Sequence, residues 1–144
     1  MTSYPDTSFL VRVYLTQAES HKALLIMRNL REAIPFTPLH RHELRNAIRL
    51  AVYRKEIDTP RRHAALEDIE SDLNDGILAH VAVPWTDAFR EAEQLGKAHC
   101  ETVGVRGVDL LHVGLALVLR ADEFLTFDVR QAALAKAAGL RVRP

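Results

Sequence analysis

Cysteine is nearly absent: Cys100 is the only one in 144 residues, which excludes an internal disulfide framework and fits a reducing compartment. Aromatic residues are scarce at 6%, so an all-β core is not expected, and the abundant Ala and Leu point to helix-rich aliphatic packing. No apolar run approaches the ~18 residues of a membrane span. The opening Met1-Thr2-Ser3-Tyr4-Pro5-Asp6 has no basic region leading into an apolar one, so neither insertion nor export is expected, and a cytoplasmic location is. Net charge is also lacking, since 19 Lys and Arg offset 19 Asp and Glu; this argues against coating nucleic acid by bulk electrostatics. The six glycines form no phosphate-cradling loop and are expected at helix ends and breaks.

What remains is a chain that is 48% hydrophobic, enough to bury a core, and without repeats, linkers or low-complexity segments. A single domain over residues 1–144 is the expectation. Its charges are unevenly placed. Between His40 and His63 stand Arg41, Arg45, Arg49, Arg54, Lys55, Arg61 and Arg62 against Glu43, Glu56 and Asp58, whereas from Ala64 to Glu101 acids outnumber Arg90 and Lys97. Such polarity suits steering a phosphate chain or docking a charged partner, or it marks solvated helix faces of opposite sign.

Periodicity orders the elements. Asp6 sits at a strand-to-helix turn, with Phe9, Leu10, Val13 and Tyr14 at helical spacing after it; His21–Arg31 reads as a second helix and Ile34–Pro38 as a second strand. Leu44, Ala47, Ile48 and Ala51 mark a helix from about His40 to Arg54. Thr59-Pro60 opens another, in the manner of a cap and first helical residue, and Asp75-Gly76 closes it. Ile77–Val83 follows as a strand, then a helix from Trp85 to about Val103. Gly104 and Gly107 break the pattern before a very apolar helix from about Val108 to Leu119. Phe124–Phe127 as strand, Arg130–Ala138 as helix and Leu140–Val142 as strand finish the chain. The alternation implies an α/β fold, a three-layer sandwich whose mostly parallel central sheet is flanked by helices.

Several carboxylates call for an explanation. Asp109 lies in a helix apolar on all sides, so it is expected to be buried and to need a cation, supplied either by a metal or by Arg106 or His112 one turn away. Asp6 and Asp128 follow strands, where α/β ligand sites gather, although Asp is also a favoured helix cap. Glu43 stands about 100° from the centre of its helix's apolar stripe. Clustered oxygen ligands suit Mg²⁺ or Mn²⁺, which polarise phosphoryl groups and acidify bound water. Other chemistries fit poorly: there is no G-x-S-x-G elbow, Cys100 has only His99 beside it, and His40, His42 and His63 match no zinc spacing and read as surface histidines. Asp6-Thr7-Ser8 lacks the second Asp of aspartyl-phosphate enzymes.

Four segments in order resemble the PIN domain family, in particular the VapC-like toxin ribonucleases of type II toxin-antitoxin systems. They are Tyr4-Pro5-Asp6-Thr7-Ser8-Phe9-Leu10; Thr37 with Glu43-Leu44-Arg45-Asn46-Ala47; Arg106-Gly107-Val108-Asp109-Leu110-Leu111-His112-Val113; and Leu125-Thr126-Phe127-Asp128-Val129-Arg130-Gln131 with its continuation to Gly139-Leu140. The resemblance implies that Asp6, Glu43, Asp109 and Asp128 bind one or two Mg²⁺ or Mn²⁺ ions for hydrolysis of RNA, leaving 5'-phosphate and 3'-hydroxyl ends. It implies that Thr7, Ser8 and Thr126 orient ligands or water, and that Arg106 and His112 either touch phosphate or pack. It also implies an antitoxin protein as partner, and homodimers are common in the family. Pro5, where family members often have a longer apolar strand, is expected to shorten the ladder before Asp6. The alternative to an endoribonuclease is a non-catalytic PIN-like protein or nucleic-acid binding module.

Overall fold

The computed structural model describes residues 1–144. Along the chain run β1 (Ser3–Pro5), α1 (Thr7–Tyr14), α2 (Ser20–Asn29), β2 (Ile34–Phe36), α3 (Pro38–Tyr53), α4 (Thr59–Asn74), β3 (Leu78–His80) and α5 (Trp85–Leu95). A π-helical turn over Gly96–Cys100 leads into α6 (Glu101–Val103), then come α7 (Gly107–Val118), β4 (Glu123–Leu125), α8 (Val129–Ala137) and β5 (Arg141–Arg143). The expected α/β class is observed, and every strand pairing is parallel. The strands bond in two groups, β1-β4-β5 and β2-β3. The chain folds as two compact units, one of Met1–Asp6 with Ala82–Pro144, the other of Thr7–Val81. No helix is long and apolar enough to cross a membrane.

In the first unit β4 is the middle strand, with Tyr4 opposite Phe124 and Phe124 opposite Val142. The buried rings of Tyr4 and Phe124 stack at 5.7 Å. Pro5 takes no bond out of the β1-β4 ladder: neighbouring N–H groups of a strand point to opposite sides, and it is Asp6 N–H that donates to Leu125 O, at 2.9 Å. The ladder thus reaches Asp6 and is not shortened before it. Glu123, buried in β4, accepts from Ser3 Oγ at 2.5 Å and from both Arg143 Nη2 and Nε, at 2.5 and 2.8 Å. Burial pushes this carboxyl up, but the bonds from Arg143 and Ser3, with the charges of Arg143 and Arg141, outweigh it and hold Glu123 below the usual carboxylate range.

α7 packs on α5 through Gly114. A Cβ there would stand 2.9 Å from Ala88 O and 3.1 Å from Ala92 N. Gly114 lies in mid-helix, so the expectation that glycines fall only at ends and breaks fails at this position: close backbone approach requires it. Gly104, with φ +72°, ends α6 as expected. The helix from Trp85 runs to Val103 as expected, widening to π geometry over Gly96–Cys100.

The second unit buries Phe9, Leu10, Ile34, Phe36, Leu44, Ile48, Ile69 and Leu78. The α3 stripe is confirmed, Leu44, Ile48 and Ala51 being buried. Helix α4 is capped by Asp58, whose side chain accepts from Arg61 N–H at 2.8 Å; Thr59 is inside the helix, since a carboxylate satisfies the orphan N–H groups one residue earlier. Tyr14 ties α1 to α4: its hydroxyl donates to Asp72 at 2.6 Å and its carbonyl accepts from Arg61 at 2.7 Å. Burial, then the bond to Asp72, push the Tyr14 hydroxyl well above its ordinary pKa.

Candidate active site

Asp6 is the last residue of the first unit's N-terminal piece, at the carboxyl end of β1, and is only 3% exposed. Its Oδ2 accepts from Thr126 Oγ1 at 2.5 Å, while the same Oγ1 accepts Asp128 N–H at 2.9 Å. A hydroxyl has one proton to give. With its lone pair engaged by Asp128 N–H, Thr126 is oriented to spend that proton on Asp6, so a residue just past β4 fixes both acids. Asp128 then caps α8, its Oδ1 accepting Gln131 N–H at 2.9 Å. The capping role weighed from sequence is therefore present, and it leaves the carboxylate positioned at the strand's end.

Asp109 is the third residue of α7. Its Oδ2 accepts from the Arg106 backbone N–H at 3.3 Å and from Arg106 Nε at 3.2 Å, the reach-back half of a capping box. The helix is not buried all round: its buried residues run from Leu111 to Ala116, and the side chain of Asp109 retains 14% exposure beside an Arg106 that is 77% exposed. The first turn emerges from the core because Arg106 and Gly107 are at the surface. The ion pair anticipated as a competing account is thus formed, though an exposed guanidinium holds it weakly. His112 is buried and pairs through Nδ1 with Tyr4 Oη at 2.9 Å. This contact with the first strand is the packing role that the sequence reading set beside phosphate binding.

In the second unit Thr7, the residue after Asp6, donates its hydroxyl to Glu43 Oε1 at 2.8 Å. Glu43 is half-buried on the flank of α3, as its helical phase indicated. Ser8 is half-buried, and its carbonyl accepts from Arg12 at 2.8 Å. The start of α3 corrects the sequence reading of His40, which is fully buried: its Nδ1 accepts Thr37 N–H at 3.0 Å while Thr37 Oγ1 accepts His40 N–H at 3.2 Å. This is a capping box with imidazole in place of the usual Glu or Gln. His42 and His63 are exposed as expected. The Glu123–Arg143 pair and Tyr14–Asp72 bond were not foreseen; their partners are far apart in sequence and no local pattern marks them.

In each unit the candidate donors are carboxylates and hydroxyls, the hard oxygen set that Mg²⁺ and Mn²⁺ prefer. Within either unit, no three or more His, Cys, Asp or Glu side chains stand together in a geometry that would hold a metal. The fit is one of chemistry and of strand-end placement.

Parallel strands with acids at their carboxyl ends, braced by a shared threonine hydroxyl, describe an α/β protein with an acidic strand-edge site. The PIN domain family model matches residues 3–137, and the chain belongs to that family. Among curated proteins none matches the sequence. Among solved structures it is similar to VapC20 of Mycobacterium tuberculosis, a toxin that cleaves the sarcin-ricin loop, with TM-score 0.69 and 16% identity over 99% of this chain and 100% of that one. It is also similar to VapBC2 of Rickettsia felis, solved bound to a promoter DNA fragment, with TM-score 0.66 and 14% identity over 99% and 98% of the two chains. FitAcB of Neisseria gonorrhoeae gives TM-score 0.63 and 14% identity over 99% and 97%. At these identities the likeness is one of fold.

Proposed function

We propose that this protein is a metal-dependent endoribonuclease and the toxin of a toxin-antitoxin pair. The observation that carries the reading is the buried Asp6 carboxylate at the end of β1, held by the Thr126 hydroxyl that also fixes Asp128. Asp6, Asp109 and Asp128 are the acids that Mg²⁺ or Mn²⁺ would have to draw together, since they do not stand as a ready-made ligand group, and Glu43, braced by Thr7, is the fourth acid of the motif series. A bound divalent ion supplies polarisation of the phosphoryl group and a more acidic water. Thr126 keeps the Asp6 carboxylate oriented, Tyr4 and His112 support the floor beneath α7, and Arg106 offers a guanidinium at the surface for phosphate.

An antitoxin segment is the proposed protein partner. In the second unit a groove of about 350 Å³ is lined by apolar residues such as Val13, Leu24, Met27 and Ile77 with Arg28, Arg31, Glu32 and Asp72 among them, and it would accept aliphatic side chains of that segment alongside charged ones. One observation favours the alternative of a non-catalytic binding module: Asp109 and Asp128 already have structural uses, in an ion pair and a cap.

The test is cleavage of a labelled RNA panel with Mg²⁺, Mn²⁺ or EDTA, beside Asp6→Ala. Metal-dependent cutting that is lost in the variant, with 5'-phosphate and 3'-hydroxyl ends, is the expected result. A folded Asp6→Ala protein that cuts as well as wild type overturns the assignment, and absence of both cutting and calorimetric Mn²⁺ binding favours the binding module.

A further inference from the structure

Helix α3 carries a ridge that the cleavage chemistry above does not use. Arg41, Arg45, Arg49 and Tyr53 recur at every fourth position, an i, i+4 ridge whose neighbours touch and which winds about 120° around the helix from end to end. Arg41 Nη2 and Arg45 Nη1 both reach Glu70 Oε1 of α4, at 2.8 and 3.1 Å. One carboxylate shared by two guanidiniums holds both in place and leaves positive charge in excess. Arg49 is exposed, and His42 and Asn46 border the same open depression of about 370 Å³. The ridge ends on Tyr53, whose ring stands in solvent at 83% exposure.

Guanidiniums present planar forks to phosphate, an amide and an imidazole add further hydrogen-bonding groups, and a bare aromatic face offers a base somewhere to stack. An acidic peptide would use the arginines and leave the Tyr53 face idle. A duplex would hide its base faces in its own stack. The twelve-residue step from Arg41 to Tyr53 spans about 18 Å along the helix, room for roughly five nucleotides at the per-strand rise of a stacked chain. Glu43 lies on the other flank of α3, about 160° around the axis from Arg45, so a strand on the ridge is not over that acid.

We propose that the α3 ridge binds single-stranded RNA, gripping the substrate at phosphates away from the bond that is cut and stacking one base on Tyr53. The proposal rests on the ribonuclease reading, and its test does not depend on cutting.

Binding of labelled oligouridylate to the full chain is followed by fluorescence anisotropy in EDTA, across a salt series. The combined Arg41→Ala, Arg45→Ala and Arg49→Ala protein is expected to bind at least about tenfold more weakly, and its log K against log salt slope should fall by about 2, three phosphates at ~0.7 each. The corresponding triple Arg→Lys protein keeps the slope, which separates lost charge from lost fold. Tyr53→Ala is expected to weaken binding by about fivefold or more at unchanged slope, and Tyr53→Phe to restore it. Absence of wild-type binding, or equal affinity and slope in the triple Ala protein, overturns the proposal; the second result is also what a ridge built for an acidic protein would give. Ridge-dependent binding without any cutting under Mg²⁺ or Mn²⁺ sinks the nuclease reading alone, and cutting with ridge-independent binding sinks the ridge alone.

Discussion

Thr126→Val removes one oxygen and tests the bracing of the site at its centre. The hydroxyl is buried, donates to the buried Asp6 carboxylate at 2.5 Å and accepts Asp128 N–H at 2.9 Å. A hydrogen bond to a charged group contributes about 1.5–3 kcal/mol, and a donor stripped of its partner costs about 1–3 kcal/mol if water cannot reach it. Asp128 is only half-buried, so solvent recovers part of the second amount. The expected destabilisation is therefore about 2–4 kcal/mol in urea unfolding, and Thr126→Ser, which keeps the hydroxyl, should recover most of it. If Asp6 is a metal ligand, an unbraced carboxylate should also lower metal affinity or RNA cleavage by roughly 10–100-fold. A Val variant within about 0.5 kcal/mol of wild type, the ordinary range for a neutral surface change, would refute the claim that this hydroxyl holds the two acids.

Gly114→Ala should destabilise by about 1–3 kcal/mol, because the new Cβ meets backbone atoms of Ala88 and Ala92 that cannot rotate away; unchanged urea midpoint and slope would show that α5 can withdraw at no cost. Glu123 is held below its unfolded pKa, so its contribution is present above about pH 4.3 and is lost as pH falls through the lower folded value. Thermal melts of wild type and Glu123→Gln should accordingly converge as the medium is acidified, and a gap that stays constant below that pH would contradict the assignment. Arg143→Ala strands a carboxylate with 2% side-chain exposure, yet Arg143 is itself 42% exposed, so the expected cost is about 1–3 kcal/mol by equilibrium unfolding, below the 3–5 of a fully buried pair.

The parts of this molecule that were legible in its sequence are those whose signal is local. The α3 stripe needs only a periodicity of a few residues; Asp128 follows an apolar run that stops at an acid, and Asp6 is marked by the helical spacing that begins just after it. The Arg106–Asp109 pair was open to inspection because its partners are one helical turn apart. By contrast, Thr126 and Asp6 are 120 residues apart, and which strand lies beside β1 is settled by tertiary pairing. Glu123 meets Arg143 only through the β4-β5 register. Gly114 looks like an ordinary weak helix former until α5 is packed against it. His40 was misplaced because Thr37 selects it as a capping partner, a role that sequence patterns reserve for Glu or Gln.

The cap that Asp128 supplies decides how its proposed metal role should be probed. Its carboxylate caps α8 through Gln131 N–H, so Asp128→Ala removes a cap costing about 1 kcal/mol along with any ligand, and lost activity in that variant alone would not tell the two apart. Asn caps helices about as well as Asp but carries no charge, and a neutral amide is a far poorer partner for a divalent ion. If the protein is the proposed metal-dependent ribonuclease and Asp128 is a ligand, Asp128→Asn should unfold at nearly the wild-type urea midpoint while RNA cleavage falls at least about 100-fold, an effect of roughly 2.7 kcal/mol on the reaction barrier. Retention of cleavage in Asp128→Asn, with loss confined to Asp128→Ala, would assign the residue to holding α8 in place and remove it from the proposed metal ligands, leaving Asp6 and Asp109 as the first unit's only candidates for that role.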